Sequence, residues 1–156
     1  KKLGDLPFEP SQIPQGMEEI LIAGGGEVGC ETAEFLAEKG KRITIVEMLN
    51  GVALDVAFGT RTLLLKRLGE KKVKILTNSI IIRITEAGVS ILDKKSNRRQ
   101  SIKAETAVLS LGAKPNIELF NELKGKVKEL YTIGDCVKPR KIVDAIHEGF
   151  HIAQEI

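Results

Sequence analysis

Residues 19–47 read EILIAGGGEVGCETAEFLAEKGKRITIVE, and their pattern decides the fold. Glu19 to Ala23 is a short apolar run that stops at glycines, the signature of a buried parallel strand. From Glu27 to Lys39, Val28, Ala33, Phe35, Leu36 and Ala37 recur near helical spacing, and Gly40 stands where a helix would stop. Arg42 to Glu47 is rich in β-branched residues and forms a second strand. Strand, glycine turn, helix and strand within about 30 residues make a βαβ unit, whose crossover is expected to be right-handed.

The turn itself carries chemistry. Gly24, Gly26 and Gly29 have G-x-G-x-x-G spacing between a predicted strand and a predicted helix. In that context the first glycine permits a tight turn, the second lets the backbone approach a pyrophosphate, and the third lets helix and strand pack closely. The amide hydrogens at the start of the helix, at Glu27 and Val28, have no acceptor within it and point toward the anion, with the helix dipole aligned behind them. Glu47 ends the second strand about 20 residues further on, where a carboxylate can accept hydrogen bonds from an adenosine ribose. A 2′-phosphate would meet that carboxylate as a like charge, and Met48, Leu49 and Asn50 supply no arginine to offset it. The expected ligand is therefore NAD(H) and not NADP(H). The bland alternatives are a plain glycine-rich turn and an ordinary strand-end glutamate.

Beyond this unit, a second helix is expected over residues 55–71 from Leu63, Leu64, Leu65 and Leu68, although Gly59 and Gly69 weaken it. A strand follows at Val73 to Leu76. The runs SIIIRITE, GVSILD and RRQSIKA between residues 79 and 104 are short and β-type, separated by turn residues, and read as an antiparallel meander. Thr106 to Leu111 and Glu129 to Ile133 are further predicted strands, each ending at glycine. The last segment, from Lys141 onward, places Ile142, Ala145, Ile146, Phe150 and Ala153 at helical intervals behind Pro139. The expected fold class is α/β: a Rossmann-like parallel sheet with flanking helices and a three-stranded antiparallel meander.

Composition bounds the function classes. The chain has 156 residues, 42% of them hydrophobic and enough for a real core; 29% are charged, with a formal net charge of only +3. Acidic and basic side chains are interleaved, so no nucleic-acid footprint stands out. Cys30 and Cys136 form neither a C-x-x-C pair nor a disulfide framework, which fits a reducing, cytoplasmic setting. No apolar run approaches the roughly 18 to 20 residues that span a bilayer, so no membrane association is expected. Pro7, Pro10 and Pro14 crowd the opening, which reads as a linker or remnant over residues 1–16, and the chain itself reads as a piece of something longer.

Two features invite over-reading. His147, Glu148 and His151 spell H-E-x-x-H, a spacing that can hold zinc. A third histidine is missing, Gly149 interrupts the helix, and Ile146 and Phe150 are expected to dock on the protein, so no metal site is assigned. Cys30 sits at a helix N-terminus, where a thiol can become reactive; without a resolving partner it is read as a small packing residue.

The segments GGGEVGCETAEFLAEKGKRITIVE, VLSLGAKPN and LYTIGDCVKPRKIVDAIHEGFHIA together resemble the NADH:flavin oxidoreductases, over most of the chain. They look most like the C-terminal pyridine-nucleotide and FAD-binding region of 2,4-dienoyl-CoA reductase and related Old Yellow Enzyme fusions. The resemblance implies that Gly134 and Asp135 meet a flavin's ribityl and phosphate region, that Gly112 lies against the dinucleotide, and that Glu31 matches an acidic position early in the glycine-turn helix. It also implies an NAD-binding domain over residues 17–114 and a residual segment of a flavin-binding domain over 115–156. This chain lacks the family's earlier flavin glycine motif and iron–sulfur barrel. FAD is accordingly expected in the parent enzyme and only weakly, if at all, in this chain, with a flavin-domain half or partner subunit supplying the rest. No catalytic acid or base is assigned. The expected role is to position NADH for hydride transfer to a flavin; the competing reading is a non-catalytic dinucleotide-binding module, and a self-sufficient NAD dehydrogenase finds no Tyr-x-x-x-Lys pair.

Overall fold

The computed structural model describes Gly16 and residues 18–156; the rest of the expected linker, and Met17, lie outside the described residues. Two compact units divide between Leu111 and Gly112.

The first unit is built on a four-stranded parallel sheet in the order Lys74–Leu76, Arg42–Val46, Glu19–Ala23, Thr106–Leu109. Its strands are β1 (Glu19–Ala23), β2 (Arg42–Val46), β3 (Lys74–Leu76) and β7 (Thr106–Leu109). β1 lies between β2 and β7, with Ile22 opposite both Ile45 and Val108. Helix α1 (Glu27–Glu38) connects β1 to β2, and helix α2 (Phe58–Glu70) leads into β3. Strands β4 (Ser79–Thr85), β5 (Gly88–Asp93) and β6 (Arg99–Ile102) form the separate antiparallel sheet. The α/β architecture is thus the one expected from the sequence.

The alternation of β1 explains why it reads as an unbroken apolar run. Ile20 and Ile22 pack with Cys30, Ala33 and Leu36 of α1 and with Leu64 and Leu68 of α2. Leu21 and Ala23 project the other way and pack with Val46, Val89 and Ile91, the last two from the antiparallel sheet. Helices cover one face and the meander the other, so neither face of β1 meets water. Full burial of each leucine or isoleucine contributes roughly 1.5–3 kcal/mol. Outside the core, Glu34 of α1 accepts hydrogen bonds from Arg67 of α2, 3.0 Å at Nη2, and sits 3.5 Å from Lys71 Nζ.

α1 ends as expected: Gly40 has φ +77° and its amide donates to Ala37 O. Helix α2, however, begins at Phe58 and not at residue 55. Ala57 is extended (φ −57°, ψ 142°), and the Asp55 side chain is engaged elsewhere.

In the second unit the expected strand at Glu129–Ile133 is absent: these residues have no strand partner among the described residues, and a strand exists only through a ladder with a neighbour. The unit contains α3 (Glu118–Leu123), unforeseen from the sequence, a single 3-10 turn at Gly134–Cys136, and α4 (Ile142–Glu155). At the start of α4 the amide of Lys141 donates to the Asp144 carboxylate at 3.1 Å. Gly134 is the unit's only buried residue. Contrary to expectation, Ile146 and Phe150 are not packed away; they are 62% and 60% exposed.

Candidate functional site

The glycine turn is shaped by what presses on it. Gly24 has φ +100°, and a Cβ there would lie 2.0 Å from the carbonyl oxygen of Ser110, just past β7. A Cβ on Gly29 would lie 2.1 Å from the carbonyl of Gly24, so the helix meets the turn at backbone distance. These are the tight-turn and close-packing roles that the spacing suggests. Gly25, which the motif leaves as an arbitrary residue, is equally constrained: its Cβ would fall 2.5 Å from Val52 Cγ1. The carbonyl of Gly25 accepts the Ala53 amide at 2.6 Å and the Cys30 thiol at 3.4 Å.

Glu47 follows directly on β2 and is buried, with 8% exposure. Its Oε2 accepts the amide of Gly25 at 2.6 Å, and its Oε1 accepts that of Leu49 at 2.8 Å. The carboxylate therefore anchors the glycine turn to the end of β2. Each oxygen retains a second lone pair for a further donor. Gly25, Gly26, Glu47, Leu49, Gly51, Leu54 and Asp55 line a cleft of about 360 Å³, a size typical of small-molecule sites. Gly26 and Glu47 thus open onto one space.

Asp55 is the member of this cleft that sequence reasoning missed. Its two carboxylate oxygens accept the amide of Glu27, the first residue of α1, at 3.0 and 3.1 Å. A Cβ on Gly26 would sit 3.3 Å from Asp55 Oδ2. In sequence Asp55 looks like the head of the following helix; only the return of the chain shows that it faces the preceding one.

The remaining predicted residues are spread more widely. Val28, on the first turn of α1, is 67% exposed, and Glu31 is exposed on the same helix. Gly112, with φ +83°, Gly134, with φ +67°, and Asp135 belong to the second unit. There the amide of Gly134 donates to Glu148 Oε2 at 2.6 Å, and the amide of Arg140 donates to Asp135 Oδ1 at 3.2 Å. Glu148 also pairs with the Arg140 side chain, and that guanidinium holds its carboxyl below the usual range. The glutamate of the H-E-x-x-H string is therefore committed to its own unit's backbone, and no cluster of metal-ligating side chains exists among the described residues. Cys30 is fully buried, and burial pushes its thiol up to about 11, the opposite of an activated thiolate.

A glycine turn between a parallel strand and a helix, with a carboxylate at the end of the neighbouring strand, defines a Rossmann-like α/β domain. The chain belongs to the pyridine nucleotide-disulphide oxidoreductase family, whose model matches residues 4–149. It is 36% identical to an NADH oxidase of Thermoanaerobacter brockii over 89% of this chain and 21% of that protein. It is 33% identical to a metal reductase of Desulforamulus reducens over 87% of this chain and 24% of the relative. Among solved structures, a 2-naphthoyl-CoA reductase in complex with 2-naphthoyl-CoA superposes with a TM-score of 0.81 at 28% identity, covering 94% of this chain and 22% of that one. The chain thus spans about a quarter or less of the length of these three relatives. Among the described residues no helix is long and apolar enough to cross a membrane.

Proposed function

We propose that this chain is the NAD(H)-binding domain of a flavin-dependent oxidoreductase, holding NADH so that its nicotinamide can pass hydride to a flavin. The observation that carries this reading is the shared cleft of Gly26 and Glu47 at the head of α1. The diphosphate would lie against the amides of Glu27 and Val28, above Gly26, with Gly24 and Gly29 holding the turn close. Glu47 would use its remaining lone pairs on the adenosine ribose and repel a 2′-phosphate. Flavin and nicotinamide supply the redox chemistry when bound; this chain contributes binding and orientation.

In the second unit, Gly134 and Asp135 would approach the flavin and Gly112 the dinucleotide, with Glu31 in the family's acidic position. Family membership and the similarity to larger reductases support a role for FAD in the parent protein, and a flavin-domain half or partner subunit would complete the site. The finer likeness to 2,4-dienoyl-CoA reductases is in keeping with the 2-naphthoyl-CoA reductase neighbour. We take residues 17–114 as the nucleotide-binding part, 115–156 as flavin-side, and the setting as cytoplasmic. A second reading is a non-catalytic dinucleotide-binding module, which needs only the cleft shared by Gly26 and Glu47.

Separate calorimetric titrations with NADH, NADPH and FAD test these statements. Binding of NADH in preference to NADPH, with weak FAD binding, is expected. A preference for NADPH would remove the role of Glu47, and tight FAD binding would show that the flavin site needs no other polypeptide. A chain that binds NADH yet is colourless and inactive toward electron acceptors would be the module.

A further inference from the structure

We infer that Asp55 is an internal anion that holds the diphosphate position at the head of α1 and must leave it when a dinucleotide binds. The inference rests on the dinucleotide reading and concerns how that site is regulated. Its basis is the placement of the carboxylate: both oxygens lie on the amide of Glu27, 3.0 and 3.1 Å away. That amide is among the hydrogens at a helix start that lack an acceptor within the helix and that bind phosphate in glycine-turn sites. The carboxylate also faces Gly26, the glycine whose missing side chain admits a phosphate; an added Cβ would come 3.3 Å from Oδ2. Asp55 therefore stands where the ligand's negative charge belongs.

The position is built. The segment bearing Asp55 is tied to the turn by the Ala53 amide on Gly25 O at 2.6 Å, with Ala53 held at φ +52°. The adjacent residue is held as well, by Arg61 Nε of α2 on Val52 O at 2.9 Å. Val52 packs into the core, where it blocks any side chain at Gly25. This rigid strap delivers a flexible side chain to the head of α1. Meanwhile α2, which begins three residues beyond Asp55, has no side-chain cap at Ala57. An aspartate next to one helix start serves the other.

Two physical consequences follow. In the free chain Asp55 stabilises α1 as a cap, since a carboxylate at a helix N-terminus is favourable. Against a diphosphate the same group competes for an amide and adds like charge to a cleft that already contains Glu47. Asp55 is itself exposed, so rotation of its side chain into water releases the site without moving the strap. Capping and ligand binding are thereby placed in competition.

The test compares the wild-type chain with Asp55→Asn and Asp55→Ala, using calorimetry with ADP-ribose, NADH and adenosine, and thermal unfolding without ligand. Both variants should melt at lower temperature than wild type, yet bind ADP-ribose and NADH roughly five- to tenfold more tightly. Adenosine, which carries no phosphate, should bind all three alike. A purely structural cap would lower the melting temperature and weaken the ligands or leave them unchanged, and that result overturns the assignment to Asp55. Equal tightening of adenosine also overturns it, because the effect would not concern the phosphates. If no form binds ADP-ribose or NADH, the dinucleotide reading itself fails, and the role of Asp55 fails with it.

Discussion

The carboxylate of Glu47 accepts the backbone amide of Gly25 at 2.6 Å, so the acid at the end of β2 is part of the scaffold of the glycine turn as well as of the cleft beside it. A residue selected by the ligand alone would have no reason to bind the turn. Here the same group fixes the relative position of two strands' ends and presents its outer lone pairs to the cleft.

Replacement of Glu47 by Ala should therefore lower stability even without ligand. The amides of Gly25 and Leu49 would lose their acceptor in a part-buried corner, at a cost of about 1–3 kcal/mol. Urea unfolding measures this; an unchanged midpoint would show that water replaces the carboxylate freely. The variant should also lose affinity for NADH beyond what its stability loss explains.

Glycine-to-alanine changes should have opposite signs in the two helices. At Gly29 the new methyl meets a backbone carbonyl at 2.1 Å, which only movement of α1 can relieve, and overpacking of this kind costs about 1–3 kcal/mol or more. At Gly69, within α2, nothing lies within 4 Å of an added Cβ, and alanine should stabilise by about 0.4–1 kcal/mol through the unfolded chain. Thermal melts of the two variants should move in opposite directions.

The two cysteines should be distinguishable by reagent. Cys30 is buried, and its thiol is pushed to about 11 by burial; Cys136 is partly accessible. At pH 8 a thiol-specific disulfide reagent should titrate one group quickly and the second only after denaturant is added. Rapid reaction of both in the native chain would contradict the packing role of Cys30.

Stability should fall in acid, in part through Glu105. Its Oε2 accepts the amides of Glu18 and Glu19 at 2.6 and 3.0 Å, and these bonds hold its carboxyl below the ordinary 4.5. A carboxyl lowered in the folded chain contributes stability that is complete above 4.5 and is lost as pH falls through the lower folded value. Glu105→Gln should flatten the stability curve in that acid window and leave its slope near pH 7 unchanged, as read from denaturant midpoints across pH. A curve parallel to wild type throughout would remove Glu105 from the account.

The local signals were strong enough to define the βαβ unit from the sequence alone. Buried-strand composition, glycine spacing and helical periodicity act within about 30 residues, and the chain from Glu19 to Glu47 satisfies all three at once. The same locality explains the identification of Gly24, Gly29 and Glu47 as members of one corner. Whatever depended on a distant segment was not legible. The ELYTI run has strand composition but no neighbour to pair with among the described residues, while Gly25 is constrained by Val52, which arrives 27 positions later. Asp55 was hidden for the same reason: its side chain reads locally as the start of α2 and acts on Glu27 at the start of α1. Local sequence determined which elements form, because propensity and capping are short-range; tertiary structure decided which amide each carboxylate meets, because that depends on how the chain returns.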